Sequence, residues 1–311
     1  MQENIAIELR NVTKKIGKKT IIEQLSFAVP RGEVFGFLGP NGAGKTTTIR
    51  MIVGLMSITS GEIIINGENV EKSFEKAIQH VGAIVENPEM YKYLTGYQNL
   101  IHFGRMHKGI TKERIDEVVK LVGLENRIHE KVKRYSLGMR QRLGVAQAIL
   151  HKPSVLILDE PTNGLDPAGI RELRDYLREL SRKENLAIVV SSHLLSEMEL
   201  MCDRVAVIQA GKLVDVQLMQ EFTRDDSAEL EVLIEVDEPA QAKGIVVAAL
   251  QQKLGNVAIE NQAIKCLLTK EDIPLLNKAL VEGGIRVYQI KTTSKTLEEK
   301  FLEMTRSEQI V

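Results

Sequence analysis

Apolar and polar residues alternate over the first thirty positions of the chain. Residues 4–29 have this period of two, interrupted by a polar turn at 17–19, and residues 60–67 repeat it before an Asn-Gly turn. Such a period places one face of each strand in a core. These segments therefore predict a small antiparallel sheet.

The middle of the chain has uninterrupted apolar runs that alternate with helical patterns. The runs lie at 33–38, 81–85, 155–160 and 186–191. Apolar strands that alternate with helices are typical of a mostly parallel sheet. Between residues 95 and 150 the period is instead that of helices, so we predict a helical subdomain at about 88–152 inside an α/β core.

The pattern changes again after a predicted hairpin at 205–216. Residues 222–228 are polar and predict a linker. The elements predicted beyond it are strand 229–236, helix 239–253, strands 256–260 and 263–268, helix 271–282, strand 285–290 and helix 295–304. The order β-α-β-β-α-β is the split pattern of ferredoxin-like domains. We therefore predict two domains, 1–222 and 229–311, the second being a small α+β domain.

A glycine-rich segment separates the predicted strand 33–38 from a predicted helix. Its sequence fits G-x-x-x-x-G-K-[ST], the P-loop pattern. Glycines let backbone N–H groups converge on an anion, and the helix start adds the positive end of its dipole. A chance match in a glycine-rich turn is the alternative, and the flanking elements argue against it. The residues predicted to bind a nucleoside triphosphate are Gly39, Pro40, Asn41, Gly42, Ala43, Gly44, Lys45, Thr46 and Thr47.

Further side chains complete the predicted phosphate chemistry. Lys45 can reach the β- and γ-phosphates, and the Thr46 hydroxyl can ligate Mg²⁺. The apolar strand 155–160 ends in Asp159, expected to hold Mg²⁺ mostly through water, and Glu160, expected to act on the attacking water. A strand that simply ends in charged residues is the alternative, and it is disfavoured beside a P-loop.

Residues 136–140 open a predicted helix with a serine and a glycine, Ser136 and Gly138. A helix start of this kind is a second anion site. Serine is also a good helix N-cap, and the two roles are compatible.

Composition and charge narrow the choice of partners. The chain has 311 residues, of which 43% are hydrophobic and 27% charged, as expected for a packed globular protein. Because 41 Lys and Arg face 42 Asp and Glu, the formal net charge of −1 gives no electrostatic argument for a nucleic-acid partner. The two cysteines, Cys202 and Cys266, predict no disulfide framework.

Membrane-directed segments are not evident in the sequence. The N-terminal residues lack the pattern of a signal peptide, and no apolar run approaches the ~18 residues needed to span a bilayer. A role in a membrane process would therefore require another chain to supply the membrane part.

The order of these motifs resembles the order found in the ATP-binding subunits of ABC transporters. After the P-loop come the signature 136–140, Asp159-Glu160, the loop 163–167 and Ser191-Ser192-His193. The resemblance covers residues 4 to about 220. Within the family, the chain most resembles the subfamily that includes bacitracin, lantibiotic and other drug-export ATPases. It implies an α/β fold: a P-loop NTPase of ABC type with a mostly parallel core, an antiparallel β subdomain and a helical subdomain.

The resemblance implies that two such domains pair head to tail, and we expect the pair to be a homodimer. Each ATP would lie between one protomer's P-loop and the other's signature. Ser136 and Gly138 would meet the γ-phosphate across the interface, and Asp166 would couple the two sites. His193 would contact the γ-phosphate and orient the water together with Glu160. The implied catalytic residues are thus Lys45, Glu160 and His193, and the implied metal ligands Thr46, Asp159 and Glu86.

Three positions depart from the family's usual residues. The signature is Ser-Leu-Gly-Met-Arg where Ser-Gly-Gly-Gln is common, although its serine and second glycine remain. Glu86 stands where glutamine is usual, which adds a negative charge near the expected metal. Ile16 stands where many relatives have an aromatic residue that stacks on adenine, so weaker base selectivity is expected.

The resemblance also implies an integral membrane permease as partner. Residues 87–94 and the helix after them would receive a coupling helix from that subunit. Half-buried aromatic packing is the alternative role for Tyr91 and Tyr93. The chain would then be a peripheral subunit on the cytoplasmic side of the membrane, hydrolysing ATP for export of peptide antibiotics or other drugs.

Two other functions compete with transport. A soluble ABC ATPase acting on ribosomes or DNA is the second hypothesis, and a P-loop kinase is the third. The single P-loop, the lack of a heptad run and the lack of a net basic charge disfavour the second. A kinase would give no reason for the signature and histidine segments.

Overall fold

The computed structural model describes residues 4–223, 230–249, 257–260 and 263–293. The chain divides into two compact units, Met1–Met219 and Gln220–Val311. In chain order the first unit contains β1 (Ile5–Ile16), β2 (Lys19–Pro30), β3 (Val34–Leu38), α1 (Lys45–Ile52), β4 (Ser60–Ile65), β5 (Glu68–Asn69), α2 (Phe74–Ile78), β6 (Val81–Ile84), α3 (Gly96–Gly104), α4 (Lys112–Leu121), a 3₁₀ turn (Val132–Arg134), α5 (Leu137–Ile149), β7 (Val155–Leu158), α6 (Pro167–Glu184), β8 (Ala187–Ser192), α7 (Leu195–Met201), β9 (Arg204–Gln209) and β10 (Lys212–Leu218).

The antiparallel sheet predicted at the start of the chain is present. Its strand order is β2-β1-β4-β5. Leu9 of β1 lies opposite Phe27 of β2 and Ile63 of β4, and all three are buried. The alternating pattern thus places one face of this sheet in the core of the first unit.

The second sheet has the order β10-β9-β3-β8-β7-β6. Its neighbours pair in parallel except β9 and β10, which form the predicted hairpin. All five residues of β3 are buried, which explains why its sequence is apolar without alternation. Since parallel strands end at one edge of a sheet, the segments after β3, β7 and β8 emerge side by side.

The helical subdomain consists of α3, α4, α5 and the 3₁₀ turn. Ile115, Val118 and Val119 form the buried face of α4, as their spacing predicts. Gly123 ends this segment with φ of +65°, a conformation that favours glycine. None of the helices in the described ranges is long and apolar enough to cross a membrane.

The described residues of the second unit include two helices and an antiparallel sheet. Helix α8 (Met219–Thr223) leads into it, so the first two residues of the predicted linker are helical instead; residues 224–228 lie outside the described ranges. The elements that follow are β11 (Leu230–Val236), α9 (Pro239–Ala249), β12 (Ala258–Glu260), β13 (Ala263–Leu268), α10 (Asp272–Glu282) and β14 (Val287–Thr293). Their strand order is β12-β13-β11-β14.

Helices α9 and α10 cover one face of this sheet. Ala242 and Val246 of α9 pack with Leu276 and Leu280 of α10 in a core shared with Ile234. The last strand lies at Val287–Thr293, later than the predicted 285–290, because buried Ile285 precedes it outside the ladder. The helix predicted at 295–304 and residues 250–253 of the preceding helix prediction lie outside the described ranges.

Candidate active site

The glycine-rich loop connects the carboxyl end of β3 to α1. Gly44 has φ of +109°, and a Cβ there would lie 2.4 Å from Ile22 Cδ1. A Cβ at Gly39 would lie 2.4 Å from the Ile208 carbonyl oxygen. The backbone conformation therefore requires glycine at position 44, and the lack of space beside a backbone carbonyl requires it at position 39.

Lys45 begins α1 and folds its ammonium group back over the loop. Its Nζ donates to the carbonyl oxygens of Gly39 at 2.7 Å and Pro40 at 3.3 Å, and lies 3.6 Å from Glu160 Oε1. The side chain is 5% exposed. Burial lowers the pKa of Lys45, while the charge of Glu160 opposes that shift. The group can therefore offer a partly desolvated positive charge to phosphate oxygens.

Glu160 follows β7 and lies between groups from three segments. Besides Lys45, Asn163 Nδ2 donates to its Oε2 at 2.6 Å, and His193 Nδ1 lies 3.4 Å from the same oxygen. Its backbone N–H donates to Ser191 Oγ at 2.9 Å. These contacts hold the carboxylate in place, and because it is 23% exposed it remains accessible to water.

Asp159 lies immediately before it and is 4% exposed. Ser191 Oγ donates to Asp159 Oδ1 at 2.6 Å, and Ser191 is fully buried. The hydroxyl of Ser191 thus connects the two neighbouring acidic residues, donating to one side chain and accepting from the other's backbone. This link joins the ends of β7 and β8.

Thr46 and Asp159 fit the donor chemistry that Mg²⁺ prefers. Thr46 is half-buried in the first turn of α1, and its hydroxyl and the carboxylate are oxygen ligands. Among the described residues, no group of three or more His, Cys, Asp and Glu side chains could hold a metal ion. Mg²⁺ characteristically completes its shell with phosphate oxygens and waters beside one or two protein ligands.

His193 lies directly after β8 and is about one-third exposed. Its Nδ1 is buried and has no hydrogen-bond partner in the described structure, although Glu160 is nearby. An imidazole beside a carboxylate can hold or pass a proton at this nitrogen. The histidine is therefore placed to act together with Glu160.

The signature residues form a separate cluster with Asp166. Ser136 is the N-cap of α5 and accepts from the Met139 N–H at 3.2 Å. Asp166 is the N-cap of α6 and accepts from the Gly169 N–H at 2.9 Å. Both residues and Gly138 line one cavity of about 540 Å³, to which residues 39–47 do not contribute. The signature residues and the P-loop residues therefore form two separate clusters.

Two other predicted residues belong to neither set of contacts. Glu86 has φ of +68°, is 61% exposed and forms an ion pair with Arg50 of α1. Ile16 ends β1 and is 54% exposed. Glu86 thus shares its charge with an arginine, a pairing that the sequence pattern did not indicate.

Sequence reasoning gave no role to Ser191 or Asn163, which contact Asp159 and Glu160. Ser191 is 32 residues from Asp159, and no local period reports such a contact. One signal was available for Ser191, because a serine pair ends an apolar strand just before the motif histidine. Hydroxyl groups buried at such a point need hydrogen-bond partners.

Comparisons with known proteins agree with this geometry. The profile of the ABC transporter family matches residues 22–163. The ABC transporter ATP-binding protein YhcH of Bacillus subtilis (strain 168) is 56% identical, over 96% of this chain and 95% of that protein. The bacitracin transport ATP-binding protein BcrA of Bacillus licheniformis is 38% identical, over 96% of each chain.

A solved structure of an ATP-binding subunit of an ABC transporter also matches. The two chains are 28% identical with a TM-score of 0.62, and the match covers 70% of this chain and 91% of the other. The fold and site define a P-loop ATP-binding domain of the ABC class. The chain belongs to the family of ABC transporter ATP-binding proteins. The family resemblance predicted from the motifs is thereby confirmed.

Proposed function

We propose that this chain hydrolyses ATP and that hydrolysis drives a separate membrane subunit of an exporter. The observation that carries the proposal is the meeting of three side chains at one edge of the parallel sheet. Glu160 lies 3.6 Å from Lys45 Nζ and 3.4 Å from His193 Nδ1. A cation, a carboxylate and an imidazole beside a P-loop can together bind a phosphate and activate an attacking water.

Each group has a definite task in this proposal. Lys45 and the loop N–H groups bind the phosphates, and Glu160 takes a proton from the attacking water. His193 orients that water with Glu160 and contacts the γ-phosphate. Thr46 and Asp159 would hold Mg²⁺, which would supply positive charge against the negative charge of the phosphates.

Hydrolysis is tested with Glu160→Gln. Loss of the general base should lower kcat for ATP by at least ~100-fold, because positioned general bases contribute factors of about 10²–10⁴. Glu71→Gln, at an exposed glutamate, is the matched control and should behave like the wild type. A Glu160→Gln protein that retains wild-type turnover would contradict the assignment, and a wild type without hydrolysis would contradict the proposed activity.

The second half-site supports a head-to-tail homodimer. Ser136, Gly138 and Asp166 of one protomer complete the nucleotide site of the other, since their cavity excludes the protomer's own P-loop. A membrane permease subunit accompanies the pair, which places the chain on the cytoplasmic side of the membrane.

Antibiotic export is the finer part of the proposal. Its support is the 38% identity over 96% of the chain with a protein named for bacitracin transport. Peptide antibiotics or other drugs are the cargo that this similarity favours, with resistance or producer immunity as the role.

We also propose the domain division 1–222 and 229–311, with a ferredoxin-like second domain. The antiparallel strand order β12-β13-β11-β14 with two covering helices supports that fold.

At the nucleotide site, we propose Glu86 as a contact of Mg²⁺ or water, and Ile16 as a weak contact of the nucleotide base. Similar turnover of ATP and GTP would support the assignment of Ile16.

A further inference from the structure

A carboxylate outside the predicted motifs connects two segments of the active site. Glu197 lies on α7, and its Oε2 accepts hydrogen bonds from Thr162 Oγ1 and Ser192 Oγ, both at 2.7 Å. Thr162 is two residues after Glu160, and Ser192 directly precedes His193. We propose that Glu197 is a positioning residue for ATP hydrolysis, holding these segments so that Glu160 and His193 face each other. This inference rests on the proposed hydrolysis at this site.

The hydrogen bond from Ser192 fixes the turn that carries His193. A serine hydroxyl has one proton and two acceptor lone pairs. Because the proton goes to Glu197, the lone pairs are available to the Leu194 N–H, which donates to Ser192 Oγ at 3.0 Å. The Ser192 hydroxyl oxygen thus connects the two residues that flank His193. Ser192 is 2% exposed, so water does not readily replace Glu197 as acceptor.

The hydrogen bond from Thr162 fixes the turn after Glu160. Thr162 is 4% exposed, and its carbonyl oxygen accepts from the Leu165 N–H at 3.0 Å. The next residue, Asn163, donates to Glu160 Oε2 at 2.6 Å. Anchoring Thr162 therefore restrains the amide that holds the proposed general base.

Both bonds end on the same carboxylate oxygen, which makes the link between the segments short. Strands β7 and β8 are parallel neighbours, so the two turns already emerge side by side. A charged acceptor makes each hydrogen bond stronger than a neutral one. Anchoring of α7 alone would explain one such bond, whereas two donors from two active-site segments favour a positioning role.

Steady-state hydrolysis of Mg²⁺-ATP by Glu197→Ala tests the proposal. We expect kcat to fall by about 10- to 100-fold, the range found when supporting hydrogen bonds or reacting geometry are disturbed. The KM for ATP should stay within about twofold, because the contacts of Lys45 with the loop are left intact. A variant that was merely unstable would instead lose active enzyme, which a thermal unfolding curve detects.

Two further variants separate positioning from general damage. Glu197→Gln keeps an oxygen that can accept both hydroxyl groups, so it should recover kcat to within about threefold of the wild type. Glu199→Ala removes an exposed glutamate from the same helix and should change neither parameter. Unchanged kcat in Glu197→Ala, or equal losses in the alanine and glutamine variants, would overturn the positioning role.

Thr162→Val and Ser192→Ala provide a test that remains usable if Glu197→Ala folds poorly. If both hydroxyls act through one carboxylate, their effects on kcat should be non-additive, with the double variant less impaired than the product of the two losses. Additive losses would overturn the inference while leaving the proposed ATPase intact. A wild-type chain that does not hydrolyse ATP would overturn the proposed function, and the positioning role with it.

Discussion

Glu160 combines a strained backbone with a dense set of contacts. Its φ of +46° lies in the left-handed region, which costs a non-glycine residue about 1–2 kcal/mol. The Ser191 hydroxyl holds its N–H, and Asn163 holds its carboxylate. Such strain persists where the surroundings over-determine the conformation, and it directs this side chain toward Lys45 and His193.

The strain at position 160 predicts an unusual order of stabilities. Glu160→Gly should be more stable than Glu160→Ala by about 1 kcal/mol, since both remove the carboxylate and glycine alone adopts this φ freely. Urea unfolding of the two variants measures the difference. Arg171, an exposed residue of α6, is the control position, where Ala should exceed Gly by about 0.5–1 kcal/mol. The same order at both positions would contradict the strain argument.

The sequence predicts the residues at this site that belong to ordered motifs, and it misses those that support them. Lys45, Asp159, Glu160 and His193 follow from local spacing and resemblance, and the structure brings them together. The role of Glu197 depends on contacts across 35 and 5 residues that join separate turns. Hydroxyl groups in turns have no period, so the sequence carries no pattern for these bonds.

At the scale of elements, the length of a strand or helix determines whether the sequence predicts it. The five-residue β3 is predicted by its uninterrupted apolar run, and the ten-residue α4 by a helical period that matches its buried face. Strand β5 has two residues and the 3₁₀ turn three, which is too short for any period. The shift of β14 reflects pairing with β11, a register that no local signal at 285–286 sets.

Helix α5 depends on an arginine from another helix at its C-terminal end. Arg114 of α4 donates from Nη2 to the Ile149 carbonyl at 2.7 Å and from Nε to the Leu150 carbonyl at 3.1 Å. The carbonyls at the end of a helix lack intrahelical partners. The arginine side chain is 11% exposed, so these bonds are largely shielded from water.

Arg114→Met keeps much of the apolar length and removes both donors. We expect it to destabilise the first unit by about 2–3 kcal/mol, because partly buried acceptors lose charged partners. Denaturant unfolding measures the change. Lys112→Met, at an exposed position of the same helix, should change stability by less than about 0.5 kcal/mol. Equal effects of the two variants would contradict the capping role.

His151 follows α5 and should make stability depend on pH. Burial lowers the pKa of His151, and His107, stacked on it at 4.4 Å between ring centroids, acts in the same direction. The hydrogen bond with the Val81 carbonyl opposes this shift, while the charges of Arg114 and His80 add to it. Its Nε2 lies 3.1 Å from the Val81 carbonyl oxygen, which can only accept, so the neutral ring carries its proton there. Its buried Nδ1 has no partner in the described structure.

Because the folded pKa of His151 lies below the unfolded value of about 6.5, the unfolded chain binds this proton first as pH falls. The contribution is therefore fully present above about pH 6.5 and is lost on acidification toward the folded pKa. Denaturant unfolding at pH 7.5 and 5.5 should show a smaller loss for His151→Gln than for the wild type. His129→Gln, at an exposed histidine, should retain the wild-type loss. Identical losses in all three proteins would contradict the assignment.

At the scale of the whole molecule, the two half-sites predict assembly. With ATP and Mg²⁺, Glu160→Gln should elute with a mass near twice the 34.8 kDa of one chain, because slow hydrolysis leaves nucleotide in both sites. Adding Ser136→Arg should block this dimer and leave ATP binding within about twofold. Ser57→Arg, at another exposed serine, should not affect dimerisation. A monomeric Glu160→Gln protein with bound ATP would contradict the head-to-tail arrangement.

The surface before α3 is where we expect the proposed membrane partner to dock. Tyr91 and Tyr93 are 39% and 67% exposed, with ring centroids 5.9 Å apart. Tyr91 also packs on His102 and Phe103 of α3, so a contact with this pair would be transmitted to the helical subdomain. Exposed aromatic residues of this kind are typical anchors of protein interfaces.

A pull-down from native membranes with Glu160→Gln in ATP tests this surface. We expect recovery of an integral membrane protein, and its loss when Tyr91→Ala and Tyr93→Ala are added, since the anchors are removed while the P-loop contacts are unchanged. ATP binding should persist. Leu55→Ala, at a residue 68% exposed, should retain the partner. Retention by the tyrosine variant would contradict the docking surface, whereas ribosomes or DNA in place of a membrane protein would favour the soluble ABC ATPase hypothesis over transport.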